Sequence, residues 1–377
     1  MKNIDKNIIY LGWVSFFTDM ASNMITTLLP IYIIYVLHEG VDKLGVIIAV
    51  ATFISYIFRI LFGYLSDKFQ IVKPFVVMGY FISALSKPLL ATSTTYLGVA
   101  TLRGIERMGK AIRSASKDSL ISAYTKDKAD GKTFGFHKMM DIAGELSGAV
   151  IIYIIFFFFT KNETAIRDIF MMTLIPGLIA SFIALVYVKD APYKRKTKNI
   201  VFVKEDMKLL PILFIYFGFI FFIMSDQFFI LRARENGYSL EIIPLFIIVL
   251  TAVQVLASYY GGVLSDIIGV KYSLILSFIF GIGSIFMINT NMWISFGLLG
   301  LFTVLSLNAI RAKISKSAIS KGFIYGIFYG GVAIFGALGA LAVGFIWKTY
   351  GFDAVLIYSE IGMSIMLLFL TDLTLQT

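Results

Sequence analysis

The sequence predicts an all-α integral membrane protein with about twelve transmembrane helices in two related bundles of six. Three observations carry this: an apolar excess, a succession of apolar runs long enough to span a bilayer, and an internal repeat. Of the 377 residues, 58% are hydrophobic and 15% charged, with a mean hydropathy of +0.86. A soluble chain carries roughly 45–50% apolar and about 25% charged residues. The excess is too large for a core, so most of this chain must face lipid.

A spanning helix needs about 20 mainly apolar residues. Helices are expected on that measure at 8–37, 42–64, 73–93, 95–113, 133–159 and 167–188. A second set follows at 207–232, 239–261, 271–289, 292–311, 322–346 and 353–371. The start, "MKNIDKNIIYLGW", is basic and then apolar like a signal peptide. Its apolar run continues past Leu29 without a small-residue cleavage site, so it reads as an uncleaved first helix. The second helix ends in "GYLSDKFQIVKP", read as an acidic turn leading into a short basic loop. Between the sets lies "KDAPYKRKTKNIVFVKED", the longest charged stretch and the natural boundary. The expected organisation is therefore an N-terminal bundle over 1–188, a cytoplasmic linker over 189–206 and a C-terminal bundle over 207–377.

A net charge of +10 would suggest nucleic acid in a soluble chain, but here the basic residues crowd short loops between apolar runs. They set topology instead: both termini and the linker are expected in the cytoplasm, with the chain multi-pass in the cell membrane. No nucleic-acid partner is expected. Without cysteine there is no disulfide framework or thiolate metal site. His38 and His137 lie far apart, so no histidine metal site is expected either. "GIERMGKA" at 104–111 nearly matches a phosphate-binding loop, but it lacks the magnesium hydroxyl and lies inside a spanning helix. "NET" at Asn162 is the glycosylation triplet of an outside loop.

The halves are related in sequence. Leu65-Ser66-Asp67 returns as Leu264-Ser265-Asp266, each with a glycine two residues before the leucine. "AIRSASKDS" from Ala111 is echoed by "AIRAKISKS" from Ala309, and "FFTDM" around Asp19 by "MSDQFF" around Asp226. A fourth echo joins "FGFHKMMDIAGELSGAV" to "YGIFYGGVAIFGALGALAV". The four keep the same order and a nearly constant offset.

Two six-helix halves, each with a G-x-L-x-D motif after its second helix, resemble the major facilitator superfamily. The first copy supplies Gly63, Leu65, Asp67, Lys68 and Lys73, with Gln70 and Ile71 where glycine and arginine are expected. The second supplies Gly262, Leu264, Asp266, Gly269 and Lys271, with Ile267 for the basic residue. "SFFTDMASNMITTLLPIY" and "RGIERMGKAIRSASKDSL" are similar to a bacterial and archaeal permease branch of that superfamily. The fifth helix resembles the antiporter signature G-x8-G-x3-G-P through Gly135, Gly144 and Gly148, with Ala149 in place of the proline. The resemblance implies alternating access about a midplane site, with helices 1, 4, 5, 7, 10 and 11 lining the cavity. The fourth helix of each half ends in an arginine. Two symmetry-related cytoplasmic gates are therefore expected, Asp67 with Arg113 and Asp266 with Arg311.

Ionisable residues in the hydrocarbon cost about 2.5–3.5 kcal/mol or more and so face a cavity or a partner. At about 100° per residue, Arg103, Glu106, Arg107, Lys110 and Arg113 share one face of the fourth helix. His137, Asp141 and Glu145 form a stripe on the fifth, with Gly144 and Gly148 on or beside it, and Asp19, Ser22, Asn23 and Thr26 share an arc of the first. The C-terminal half offers Asp226, Asn308 and aromatic residues. Arg103 is expected to meet Asp141 and Glu145; titration of one of these two, or next of Asp19, would couple protons to conformation. The expected function is proton-coupled efflux of a small solute by antiport, driven by the proton gradient without a cofactor, by a monomer. The alternative is an uptake symporter or a uniporter of a small organic ion. A membrane enzyme or channel fits less well, because neither a reactive constellation nor a repeated pore loop is present.

Overall fold

The computed structural model describes residues 5–69, 72–124, 130–160, 162–190 and 204–375, and none of these forms a β-strand. Helix α1 (Lys6–Ile31) starts at Asp5, whose carboxylate accepts from the Asn7 amide at 2.8 Å, and runs into a π-helical turn over Tyr32–Val36. Helices α2 (Val41–Phe69), α3 (Lys73–Leu89), α4 (Tyr96–Tyr124) and α5 (Asp130–Ile154) follow. The sixth expected span is two pieces, α6 (Ala165–Met172) and α7 (Leu174–Val186). Pro176 explains the joint: it has no N–H for the Met172 carbonyl and its ring crowds that carbonyl.

The seventh span is also broken, into α8 (Leu210–Phe222) and α9 (Asp226–Glu235), with Ile223 and Ser225 extended between them. Ser-Asp is a helix-opening pair, which the apolar run had concealed. Helices α10 (Ile243–Phe286), α11 (Met292–Ser317), α12 (Lys321–Tyr350) and α13 (Phe352–Leu375) complete the chain. Among the described residues, ten helical runs are long and apolar enough to cross a membrane. The two other expected spans have separate reasons to fall short. Helix α4 is too charged, and the apolar start of α10, Ile243–Ser258, is short.

The repeated Leu-Ser-Asp motif is not a turn. Leu65-Ser66-Asp67 lies within α2, which continues to Phe69, and Leu264-Ser265-Asp266 lies within the helical run that α10 makes up to a kink at Gly269. The break comes later than expected because a glycine makes it. Gly269 adopts φ +84°, which a residue bearing a Cβ rarely takes. Similarly, α4 runs on to Tyr124, well beyond the expected end at 113.

The chain divides into two compact units, Met1–Glu39 with Val50–Thr197 and Gly40–Ala49 with Lys198–Thr377. The first unit has an aliphatic and aromatic core including Leu11, Val76, Tyr80, Leu120 and Ala180. Tyr32 anchors one end of this unit, donating its hydroxyl to the carbonyls of Leu90 (3.1 Å) and Ser93 (2.7 Å) beneath the guanidinium of Arg167.

The second unit is aromatic where the first is charged. Phe219 stacks on Phe278 with ring centres 3.9 Å apart, and Phe246 lies nearly parallel to Phe296 at 5.1 Å. Asp206 is 3% exposed and accepts from the amides of Ile319 and Ser320, both at 2.8 Å, fixing the entry to α12. In this unit the first turns of α2 cross α12 closely. A Cβ on Gly45 would lie 2.6 Å from the Ala340 carbonyl oxygen, and Asp42 pairs with Lys348 at 3.0 Å.

Candidate transport site

The charged stripes converge within the first unit, where α1 and α5 cross on two glycines. A Cβ on Gly144 would run into the Phe16 carbonyl, and one on Gly148 would lie 2.5 Å from the Met20 carbonyl oxygen. Gly135, the third member of the antiporter-like set, has open space around it. The close crossing brings Asp19 and Asn23 of α1, both partly buried, beside the α5 stripe. The second unit repeats the contact, because Gly339 of α12 faces the Phe221 carbonyl as Gly148 faces Met20. On that correspondence Asp226 does not occupy the position matching Asp19. It opens α9 beyond the helix break.

On α4, Arg103 is 1% exposed and Glu106 fully buried, and they pair at 2.8 Å one turn apart. Arg107 approaches the same carboxylate oxygen at 3.4 Å. This places one contact of Arg103 on its own helix. The cations foremost in the field of Glu145 are Lys138 and Lys110, and those acting on Asp141 are Lys117, His137 and Lys138. Asp19 and Asp141 act on Glu145 as like charges.

His137 is 4% exposed and bridges two helices. Its Nε2 lies 3.0 Å from Ser15 Oγ of α1, and its Nδ1 lies 3.3 Å from Asp141. Lys117 Nζ donates to the same Ser15 oxygen at 3.3 Å. The ammonium can only donate, so the Ser15 oxygen accepts from Lys117 and exchanges its second hydrogen bond with Nε2, while Nδ1 faces Asp141. The order Lys117–Ser15–His137–Asp141 forms a continuous hydrogen-bonding path from α4 through α1 to α5.

Three cations in this interior were not singled out from the sequence. Lys87 of α3 is fully buried and donates to the Thr18 carbonyl at 3.2 Å. Arg59 of α2 donates to Ser114 at 3.0 Å, and Lys117 lies beyond the expected end of the fourth span. A lone lysine in an apolar run was the available signal at position 87.

The gate residues are only partly described. Gly63 is partly buried, and the side chains of Asp67 and Asp266, together with the packing of Gly262, lie outside the described residues. Arg113 is 4% exposed and sits over the Tyr80 ring, while the exposed Arg311 donates to the Tyr329 hydroxyl at 3.0 Å. Asn308 is half-buried on α11.

The sequence model of the Major Facilitator Superfamily matches residues 11–253. A relative in Methanocaldococcus jannaschii, an uncharacterized MFS-type transporter, is 32% identical over 92% of this chain and 90% of its own length. The chain belongs to the Major Facilitator Superfamily. Solved structures agree on the fold. A bacterial homologue of the human lysosomal transporter Spinster, inward-facing and occupied, superposes with a TM-score of 0.71 at 14% identity, covering 97% of this chain and 94% of that one. The nucleoside transporter NupG gives 0.76 at 12% identity, covering 98% of each chain. This MFS protein is therefore a multi-pass membrane transporter and not an enzyme.

Proposed function

We propose that this MFS protein exports a small solute in exchange for protons, its two six-helix halves (1–188 and 207–377, joined by the linker 189–206) rocking in alternating access. The observation that supports it most is the gathering of Asp19, Asp141 and Glu145 at the α1–α5 crossing, each carboxylate in the field of another. A carboxylate desolvated in one state and paired or hydrated in the other changes its proton affinity between them, which ties proton binding to conformation. The path from Lys117 to Asp141 gives such a proton a route between helices. Efflux is favoured over uptake by the resemblance to the antiporter glycine pattern, in which Gly144 and Gly148 form the crossing. Both termini are placed in the cytoplasm by the basic loops. The gates are proposed as Asp67 with Arg113 and Asp266 with Arg311.

Transport in proteoliposomes with and without an imposed pH gradient tests the reading. Asp141→Asn or Glu145→Gln should abolish gradient-driven flux while sparing exchange of substrate down its own gradient. Gradient-driven flux that survives both neutralisations, singly and together, would reduce the α5 stripe to a structural staple. Flux driven in the same direction as the protons would replace antiport by symport.

A further inference from the structure

Among the described side chains, the interior of the first unit holds more cations than carboxylates. Lys87, Arg103 and Arg113 are 0%, 1% and 4% exposed, and Arg107, Lys110 and Lys117 stand partly buried on the same helix faces. Against these six cations stand, among the described side chains, four carboxylates: Asp19, Glu106, Asp141 and Glu145. Glu106 is engaged by Arg103 and Arg107, and Asp141 by His137.

Lys87, Lys110 and Arg113 form the uncompensated part. Lys110 and Arg113 both act on Lys87 as like charges, and Arg107 and Arg113 act in the same way on Lys110. The opposing charges that reach them are Glu106, already shared, Asp19, and, for Lys110, Glu145. Arg113 spends one face on the Tyr80 ring at 4.4 Å, yet its Nη1 is buried without a hydrogen-bond partner. Lys87 donates to one backbone carbonyl. Mutually repelling cations in the hydrocarbon zone are expensive unless something of opposite charge joins them.

We propose that this face binds a small oxyanion, a carboxylate or phosphate group, with Lys110 and Arg113 as its donors and Lys87 behind them. Arg113 is also the arginine proposed for the first cytoplasmic gate, which links this site to that proposal. The inference names the substrate class of the transport site and rests on the transport reading for that role. Binding itself needs no gradient.

The test is thermal unfolding of the purified full chain in detergent at constant ionic strength, with inorganic phosphate, succinate or the cation tetraphenylphosphonium as probes. A parallel arm in nanodiscs compares phosphatidylglycerol with phosphatidylcholine, which separates a lipid headgroup from a free anion. An oxyanion probe in either arm should raise the midpoint saturably. Lys110→Gln and Arg113→Gln should each weaken the apparent affinity about tenfold, the loss of one charge-assisted hydrogen bond. Lys110→Arg, which keeps the charge and guards against a variant that merely folds poorly, should retain the shift. Protection by tetraphenylphosphonium instead, protection by no oxyanion, or equal protection of Lys110→Gln would overturn the proposal. Each failure would leave gradient-driven flux, measured separately, untouched. Oxyanion binding without gradient-driven flux would do the reverse.

Discussion

Arg113 lies over the ring of Tyr80, its guanidinium carbon 4.4 Å from the ring centre, and both side chains are almost wholly buried. The contact joins α3 to α4 in the packed heart of the first unit. The Gly79 and Gly109 pair beside it lets the backbones approach, since a Cβ on Gly79 would lie 2.5 Å from the Gly109 carbonyl oxygen. A desolvated cation–π contact contributes about 2 kcal/mol. The Tyr80 hydroxyl has no hydrogen-bond partner. Tyr80→Phe should accordingly leave the unfolding midpoint near that of the parent protein. Tyr80→Leu should lower stability by about 2–4 kcal/mol, combining the lost stacking with lost volume. Equal behaviour of the two variants would remove the cation–π contact as a stabilising element.

The two glycines at the α1–α5 crossing make an internally controlled test. Gly144→Ala and Gly148→Ala each press a methyl against a backbone carbonyl, which cannot swing away as a flexible side chain can. Overpacking of this kind costs about 1–3 kcal/mol. Gly135→Ala meets open space and should be neutral or slightly stabilising. Thermal unfolding of all three in one detergent checks the order.

Glu106 is fully buried beneath Arg103 and Arg107. Removing one partner of a buried pair leaves an uncompensated charge and costs about 3–5 kcal/mol. Glu106→Gln should reduce folded yield and broaden the size-exclusion profile, with Glu106→Asp intermediate. A Glu106→Gln protein as stable as its parent would show that its arginines are neutralised elsewhere.

The proposed topology can be read by labelling, because the chain has no cysteine to remove. Asn162→Cys should react with an impermeant maleimide on intact cells, and Thr197→Cys only after permeabilisation. The opposite pattern would invert the orientation.

The two proposed gates should respond differently to charge reversal. Arg311 is exposed beside Tyr329, whereas Arg113 is buried on Tyr80. Asp67→Asn and Asp266→Asn should each slow transport while leaving expression largely intact. The exchange Asp266→Arg with Arg311→Asp should restore part of the rate, and the equivalent exchange at Arg113 should not, since it destroys the Tyr80 contact. An Asp266/Arg311 exchange no faster than either single change would show that the two do not pair.

The architecture was legible because spanning length and repetition are properties of the chain itself. The α4 and α5 stripes followed from helical periodicity. Partners of those stripes are less legible, since i,i+3 spacing allows the Arg103–Glu106 pair within one helix and periodicity alone does not say which face meets which neighbour. Lys87 is hard to see in the sequence because a single lysine before a proline does not disturb a hydropathy average. Its meaning comes from α1, whose Thr18 carbonyl it finds. The helix break before Asp226 was hidden in the same way by the phenylalanines on both sides. The Leu-Ser-Asp motif is visible through its repetition, but its helical backbone is not, because Gly269 rather than the aspartate breaks the helix in the second half.

The charge on α4 has a consequence for how the protein is made. At the centre of a bilayer each Arg, Lys or Asp costs about 2.5–3.5 kcal/mol on the insertion scale, while a leucine returns only about 0.3–0.6. A segment holding Arg103, Glu106, Arg107 and Lys110 cannot recover that deficit alone as it leaves the ribosome. It becomes a membrane helix only in the company of α1 and α3, whose Ser15 and Tyr80 side chains meet Lys117 and Arg113, and of α5, which emerges afterwards. Biogenesis of this half is then an assembly step rather than a sequence of independent insertions. The earlier helices must wait beside the translocon until α4 and α5 arrive together.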